Sequence, residues 1–211
     1  MRLLSVSTVA ALATTVLSHG LITKPNSRAP GAASLAACGA SVVNNIKGDN
    51  TSHVEGLPEA AAKDKAYHAD QCNLWLCKGL QFGDNKDNVQ QWTTGQKVPI
   101  DVYIRIPHKG TANISIVDTK TDTYVEGGSN LLYWGDYADE KVKPNYPANQ
   151  TSFSVTVPDL GGKCRVAGDC VLQWWWYGTG ARQTYESCVD FAIVDAVAAA
   201  PKLARSRFWN F

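Results

Sequence analysis

Val98-Pro-Ile100-Asp-Val102-Tyr-Ile104-Arg-Ile106 is the stretch that decides the fold. Ile100, Val102, Ile104 and Ile106 recur at every second position with Asp101, Tyr103 and Arg105 between them, the period of a strand with one face in a core and one in water. The same period returns at 112–117, with Ile114 and Ile116 inward, and at 152–157, with Phe153, Val155 and Val157 inward. Further strands are expected over 171–177 and 184–194, and turn pairs such as Lys109-Gly110, Gly127-Gly128 and Gly161-Gly162 punctuate the region. Short alternating strands separated by such turns describe an all-β, immunoglobulin- or fibronectin-like antiparallel β-sandwich.

Upstream, residues 19–98 are poorer in strand pattern and read as a long irregular excursion, with one short helix near 58–67. Downstream, the chain turns alanine-rich and ends in a basic and aromatic stretch, so residues 196–211 are expected to form a tail outside a domain spanning 19–195. At the other end, Arg2 precedes an uncharged apolar run over residues 3–17, and Val16 and Ser18 are small residues before His19. That is the pattern of a secretory signal peptide cut between Ser18 and His19. The run is shorter than the roughly 20 residues of a membrane-spanning helix.

Removing residues 1–18 takes Arg2 from the 20 basic residues, which then balance the 19 acidic ones. A chain without net charge has no electrostatic pull on nucleic acid or anionic lipid, and a neutral polymer or small molecule suits it better. Cys38, Cys72, Cys77, Cys164, Cys170 and Cys188 form an even set in a secreted chain and read as up to three disulfides. Local closure of Cys72 with Cys77 and of Cys164 with Cys170 would leave Cys38 for Cys188, but spacing alone leaves the pairing open. Sequons at Asn50, Asn113 and Asn149 agree with secretion in a glycosylating organism.

Cleavage before His19 would let one residue offer two nitrogens to a metal, its α-amine and its imidazole. A second imidazole makes a planar three-nitrogen set, which favours Cu(II) among first-row ions. The amine, with an ordinary pKa of roughly 7.7–8.0, loses its proton at little cost near neutral pH. His53 and His68 lie in the irregular region, whereas His108 ends the deciding strand at a tight turn, where a rigid sheet holds a ligand exposed to a large substrate. A lone histidine in a turn is ordinarily a solvated surface residue, and only the pairing with His19 makes His108 the expected ligand.

Three segments then carry a resemblance. His19-Gly20-Leu-Ile-Thr-Lys-Pro25-Asn-Ser-Arg28 resembles the mature start of lytic polysaccharide monooxygenases and the related chitin-binding type-4 domains. Ile104-Arg-Ile-Pro-His108-Lys-Gly is similar to the stretch holding that family's second copper histidine, and Gln183-Thr-Tyr185-Glu-Ser-Cys188-Val-Asp190-Phe to the strand holding its axial aromatic residue. The resemblance implies a histidine brace of His19 and His108 on one copper ion, Tyr185 in the axial position and Gln183 as a hydrogen-bond donor beside it. Alternation agrees, since Gln183 and Tyr185 are two apart and face the same way, whereas Phe191 lies roughly 20 Å along the strand from Tyr185.

It further implies copper cycling between Cu(II) and Cu(I), an external electron donor, dioxygen or hydrogen peroxide as oxidant, and oxidative cleavage of a glycosidic linkage. The expected partner is a polysaccharide met by a secreted monomer, with neither nucleic acid nor membrane. No pair of carboxylates compels a hydrolytic reading. Val171-Leu-Gln-Trp174-Trp175-Trp176-Tyr177 is rich in aromatic rings, but a strand sends neighbours to opposite faces, so core packing is the expected role for most of them. Tyr133, Trp134 and Tyr137 fall in a polar loop where they stack on sugars or plug the sandwich end, and the acidic run 136–140 reads as a solvated face. Two other readings compete: a secreted copper-binding protein without polysaccharide activity, and a non-catalytic chitin- or other carbohydrate-binding module. The module gains nothing from a terminal histidine.

Overall fold

In the computed structural model, which describes residues 19–195, the chain opens with a strand, β1 (His19–Lys24). An irregular excursion follows, holding two helices, α1 (Ala32–Gly48) and α2 (Leu57–Ala62). A short β2 (Gln90–Trp92) leads into β3 (Lys97–Ile106), β4 (Gly110–Asp118), β5 (Thr123–Tyr124) and β6 (Leu132–Tyr137). A one-turn helix, α3 (Ala148–Thr151), then precedes β7 (Ser152–Thr156), β8 (Cys170–Gly178) and β9 (Gln183–Ile193). The signal peptide expected over 1–18 and the tail expected over 196–211 lie outside the described residues.

The strands form an immunoglobulin-like sandwich of two sheets, one ordered β1-β3-β7 and the other β2-β9-β8-β4-β5, with β6 also paired to β4. All pairs are antiparallel except β2 with β9, which run parallel. The alternation in β3 does what its sequence requires: Val98, Ile100, Val102 and Ile104 are buried while Tyr103 and Arg105 face water. Ile106 is only half-buried, because β3 reaches the end of the sandwich there. Facing β3 across the core, Ile114 and Ile116 of β4 meet Leu172, Trp174 and Trp176 of β8 and Tyr185, Val189 and Phe191 of β9. The three consecutive tryptophans split by parity: Trp174 and Trp176 are fully buried, whereas Trp175 lies half-buried on the outer face. Tyr137 plugs the core with Trp134 beside it, and Tyr133 stands out into solvent.

β9 is buried on both faces, and its outer parity explains how the excursion is held. Glu55 takes the Thr184 N–H, Glu186 accepts from the backbone of Cys77 and Lys78, Cys188 is disulfide-bonded to Cys77, and Asp190 receives a bidentate Arg28. Every second residue of the strand is thus a fastening point for residues 28–78. The disulfides are Cys38–Cys72, Cys77–Cys188 and Cys164–Cys170, so only the last is a local closure. The option of joining Cys72 to Cys77 gives way because Cys38 on α1 faces Cys72 inside a small separate core with Val42, Val43, Ile46, Leu57 and Leu80. The helix expected near 58–67 is α2, shorter and earlier. α1 went unread in the sequence because its small residues carry little amphipathic pattern and Gly39, at φ +77°, kinks it.

Candidate metal site

β1 and β3 pair so that His19 stands opposite Ile106, and His108 follows two residues later in the turn that leads to β4. That turn rests on the end of β8, where a Cβ placed on Gly178 would come within 3.1 Å of the Cβ of His108. Gly178 in turn faces Gln183 across the β8–β9 ladder. On the other side, a Cβ on Gly20 would stand 3.0 Å from the Trp174 ring and 3.5 Å from that of Trp176, and the Trp176 ring lies 4.5 Å from that of Tyr185. Two glycines therefore let the strand ends close up, and His19, His108, Gln183 and Tyr185 gather at one end of the sandwich.

The side chain of His19 is oriented by a carboxylate: Nε2 lies 2.8 Å from Oδ2 of Asp49. A carboxylate on Nε2 places the proton there and leaves Nδ1 with its lone pair, the nitrogen that can close a chelate ring with the amine of the same residue. Asp49 also accepts the Thr51 N–H at 2.9 Å, the Thr51 hydroxyl and the Arg105 guanidinium at 3.1 Å. Burial opposes ionisation of Asp49, but the hydrogen bonds from Thr51 and the contacts with His19 and the Arg105 guanidinium outweigh it and hold the carboxyl below its usual range. The Gly20 N–H donates to the Thr51 carbonyl at 3.0 Å, so residues 49–51 clasp the first two residues of β1. The donor chemistry would suit copper(II), with one imidazole whose Nε2 faces a carboxylate and a second on the neighbouring strand end.

Tyr185 is fully buried, and its hydroxyl donates to Oε1 of Gln183 at 2.6 Å. In this contact the phenol has the proton to give and the Gln183 amide oxygen accepts it, which leaves the donor role expected of its amide nitrogen untouched. His53, read as a residue of the irregular region, sits edge-on to Tyr185 with ring centroids 6.4 Å apart. Its Nδ1 lies 3.2 Å from Glu55, whose two oxygens take the Thr184 N–H at 2.8 and 3.0 Å. Burial raises the Glu55 carboxyl, yet the hydrogen bonds from His53 and Thr184 prevail and hold it below its usual range. His68 belongs elsewhere, exposed on the excursion and bonded through its backbone to Ala37, Gln71 and Cys72.

Behind this segment lies a buried cation. Lys78 donates its ammonium to the carbonyls of Asn50, at 3.1 Å, and Ser52. Burial lowers its pKa to about 8, against the opposing charges of Glu186 and Asp49. Among the described residues no three His, Cys, Asp or Glu side chains converge as a side-chain metal cage would, and a chelate that uses the amine needs only two imidazoles.

A family model described as lytic polysaccharide mono-oxygenase, cellulose-degrading, matches residues 19–191. The chain belongs to this family. Lytic polysaccharide mono-oxygenases are copper-dependent oxidative enzymes active on polysaccharides. Similar solved structures include a lytic polysaccharide monooxygenase of Jonesia denitrificans, 15% identical over 83% of this chain and 100% of that one, with a TM-score of 0.40. The cellulose-active CelS2 in complex with copper is 13% identical over 82% of this chain and 98% of that one, with a TM-score of 0.44. An AA15 lytic polysaccharide monooxygenase from Thermobia domestica in the Cu(I) state is 18% identical over 83% of this chain and 98% of that one, with a TM-score of 0.41. A comparison with curated proteins finds no match.

Sequence reading of this lytic polysaccharide mono-oxygenase family member missed Asp49, Thr51 and Glu55, and left His53 among unplaced histidines. No local period marks them. Their place depends on Lys78 and Thr184, distant in sequence, and the Asp49 carboxylate on His19 and the Thr51 carbonyl on Gly20 bring the segment back to β1.

Proposed function

We propose that this chain, secreted and cut before His19, is a copper-dependent enzyme that oxidatively cleaves glycosidic bonds in a polysaccharide. His19 would bind through its α-amine and Nδ1 and His108 would supply the second imidazole, with Tyr185 beside them and its hydroxyl fixed by Gln183. The observation that carries this reading is the Asp49 contact, which takes the one nitrogen of His19 that a chelate with its own amine does not use. The working unit is residues 19–195 as a monomer, with 196–211 as a tail.

A bound copper ion would supply one-electron chemistry between Cu(II) and Cu(I), with an external electron donor reducing it and dioxygen or hydrogen peroxide as the oxidant of a sugar carbon. The chain's own contribution is positional. The β1–β3 ladder holds one histidine against the strand end that bears the other. The fully buried Tyr185 ring, packed on Trp176, closes the inner side to water. The Asp49 carboxylate keeps the His19 ring in one tautomer and orientation.

The test is direct. Purified mature protein is expected to bind about one copper per chain, and His108→Ala to lose most of that affinity. With reductant and a panel of polysaccharides, the copper-loaded protein is expected to release oxidised oligosaccharides detectable by mass spectrometry. Native copper binding by His108→Ala overturns the ligand assignment. Tight copper binding without oxidised sugar from any substrate points instead to a copper-binding protein.

A further inference from the structure

The outer face of the larger sheet is only partly covered. The excursion fastens to β9, but across β8, β4, β5 and β6 the face carries rings. Of the four aromatic residues most exposed among the described residues, Trp75, Tyr103, Tyr124 and Tyr133, three lie on this side, Tyr103 being on β3. A groove of about 340 Å³ runs between Trp75, Tyr124 and Trp175, with Asp122, Thr123 and Gln173 supplying polar atoms along it. Trp75 is 50% and Tyr124 52% exposed, so both rings are available on the surface.

The walls are tied together. Asn73 donates its amide to Asp122 at 2.7 Å and takes the Trp75 N–H at 3.0 Å, which links the loop bearing Trp75 to the turn bearing Tyr124. Two residues beyond Trp75, the Cys77–Cys188 disulfide anchors that loop to β9. Asp118 takes the N–H groups of Lys120 and Thr121, which fixes the turn from its other end. Rings held in advance lose little freedom when a ligand arrives.

From this groove the rings continue toward the metal end. Trp175 and Tyr177 alternate on the outer face of β8, with centroids 6.0 Å apart and planes within 20°. Gly178, next to Tyr177, is where the His108 turn rests. The path from Gln173 to Gly178 is five strand residues, roughly 17 Å.

We infer that the Trp75–Tyr124–Trp175 groove is a second binding site for a neutral polysaccharide chain, on the side wall of the sandwich and continuous along β8 with the proposed catalytic end. The occupant is read from the lining. Aromatic faces pack on the CH faces of sugar rings, and amide, hydroxyl and carboxylate groups at the margin bond their hydroxyls. The carboxylate in the groove is already bonded to Asn73, and a chain that balances its charge after loss of residues 1–18 favours an uncharged polymer. This inference rests on the polysaccharide reading above, but binding in it does not involve the metal.

The experiment uses metal-free mature protein and its Trp75→Ala/Tyr124→Ala variant, both rings being exposed enough for the fold to survive their removal. Binding of cellohexaose and chitohexaose is followed by tryptophan fluorescence and by the chemical shifts of backbone amides, and adsorption to insoluble cellulose and chitin by depletion. The wild type is expected to bind at least one of these probes, with the largest shifts at residues 122–124 and 173–177, and the variant to bind about tenfold more weakly or not at all. Copper binding by the variant is expected to be native. If the variant binds every probe as the wild type does, or if the shifts fall only around His19 and His108, the groove is not a glycan site. Binding that appears only after enzymatic removal of N-glycans would mean that the sugar on Asn113, opposite Trp175 on the same face, fills the groove, and would overturn the proposal. A dimer by sedimentation that the double substitution dissociates would overturn it as well, making the face an interface between copies. Loss of oxidised products with groove binding intact would count against the proposed function and not against this site.

Discussion

Replacing Asp49 by asparagine tests the arrangement of the metal site without changing its shape. In the native protein the Asp49 carboxylate accepts from Nε2 of His19 at 2.8 Å while also accepting from Thr51 and Arg105. An asparagine amide has one oxygen. Satisfying the Thr51 N–H turns the amide nitrogen toward Nε2, where donor faces donor, and the preference for the Nε2–H tautomer is lost. Partners of this kind typically govern metal affinity by 10- to 100-fold, about 1.4–2.7 kcal/mol. Asp49→Asn is therefore expected to weaken copper binding by one to two orders of magnitude in titration calorimetry of the mature protein. Arg105→Ala removes only a half-exposed ion pair, worth about 0–1 kcal/mol, and is expected to leave affinity nearly unchanged. An Asp49→Asn affinity within a factor of about two of native, with His108→Ala inactive in binding, would refute the claim that this carboxylate fixes the imidazole.

Other expectations concern stability. Arg28 and Asp190 form an almost fully buried bidentate pair, so Arg28→Met leaves a buried carboxylate uncompensated and is expected to cost about 3–5 kcal/mol in chemical denaturation. The Cys38–Cys72 disulfide closes a loop of 34 residues, and replacing both cysteines by alanine is expected to cost about 3–4 kcal/mol and to expose residues 32–72 to protease first. Burial pushes the Glu186 carboxyl up to about 7, so the native state holds its proton between the ordinary carboxyl range and pH 7 while the unfolded chain does not. Its contribution to stability is greatest at low pH and is lost as pH rises through 7. The melting temperature is thus expected to fall between pH 5 and pH 7.5, and a slope that persists in Glu186→Gln would show that another group is responsible.

Much of the sandwich was legible because a two-sheet core needs alternation, and β3 and β7 face water on their other side, while β4 carries polar Asn113 and Ser115 between its core residues although both are buried. The split of Trp174 and Trp176 from Trp175 and Tyr177 follows from the same rule. β9 was legible as a strand as well, but its polar positions Thr184, Glu186 and Asp190 are buried beneath the excursion instead of facing water, which alternation alone does not tell. β1 could not be read as a strand because, among the described residues, its ladder is with β3, about eighty residues away. At the site, His19 and His108 stand out by chemistry, one by its place after a signal-like run and the other by its turn. Asp49 does not, since a single aspartate in a polar loop carries no period and its partner lies at the other end of a tertiary contact.

The stretch from Asp49 to Glu55 touches the first residue of β1 and the ring of Tyr185, yet it belongs to neither sheet. It hangs from the Lys78 ammonium and from Thr184. Positions within it that are not buried can therefore change while the strand ends, set by ladder and glycine contacts, stay where they are. In the proposed copper site, the ladder and glycine contacts would hold the two histidines, and the positions of this stretch other than Asp49 and the buried Thr51 and Val54 would be the place to adjust reactivity without disturbing them.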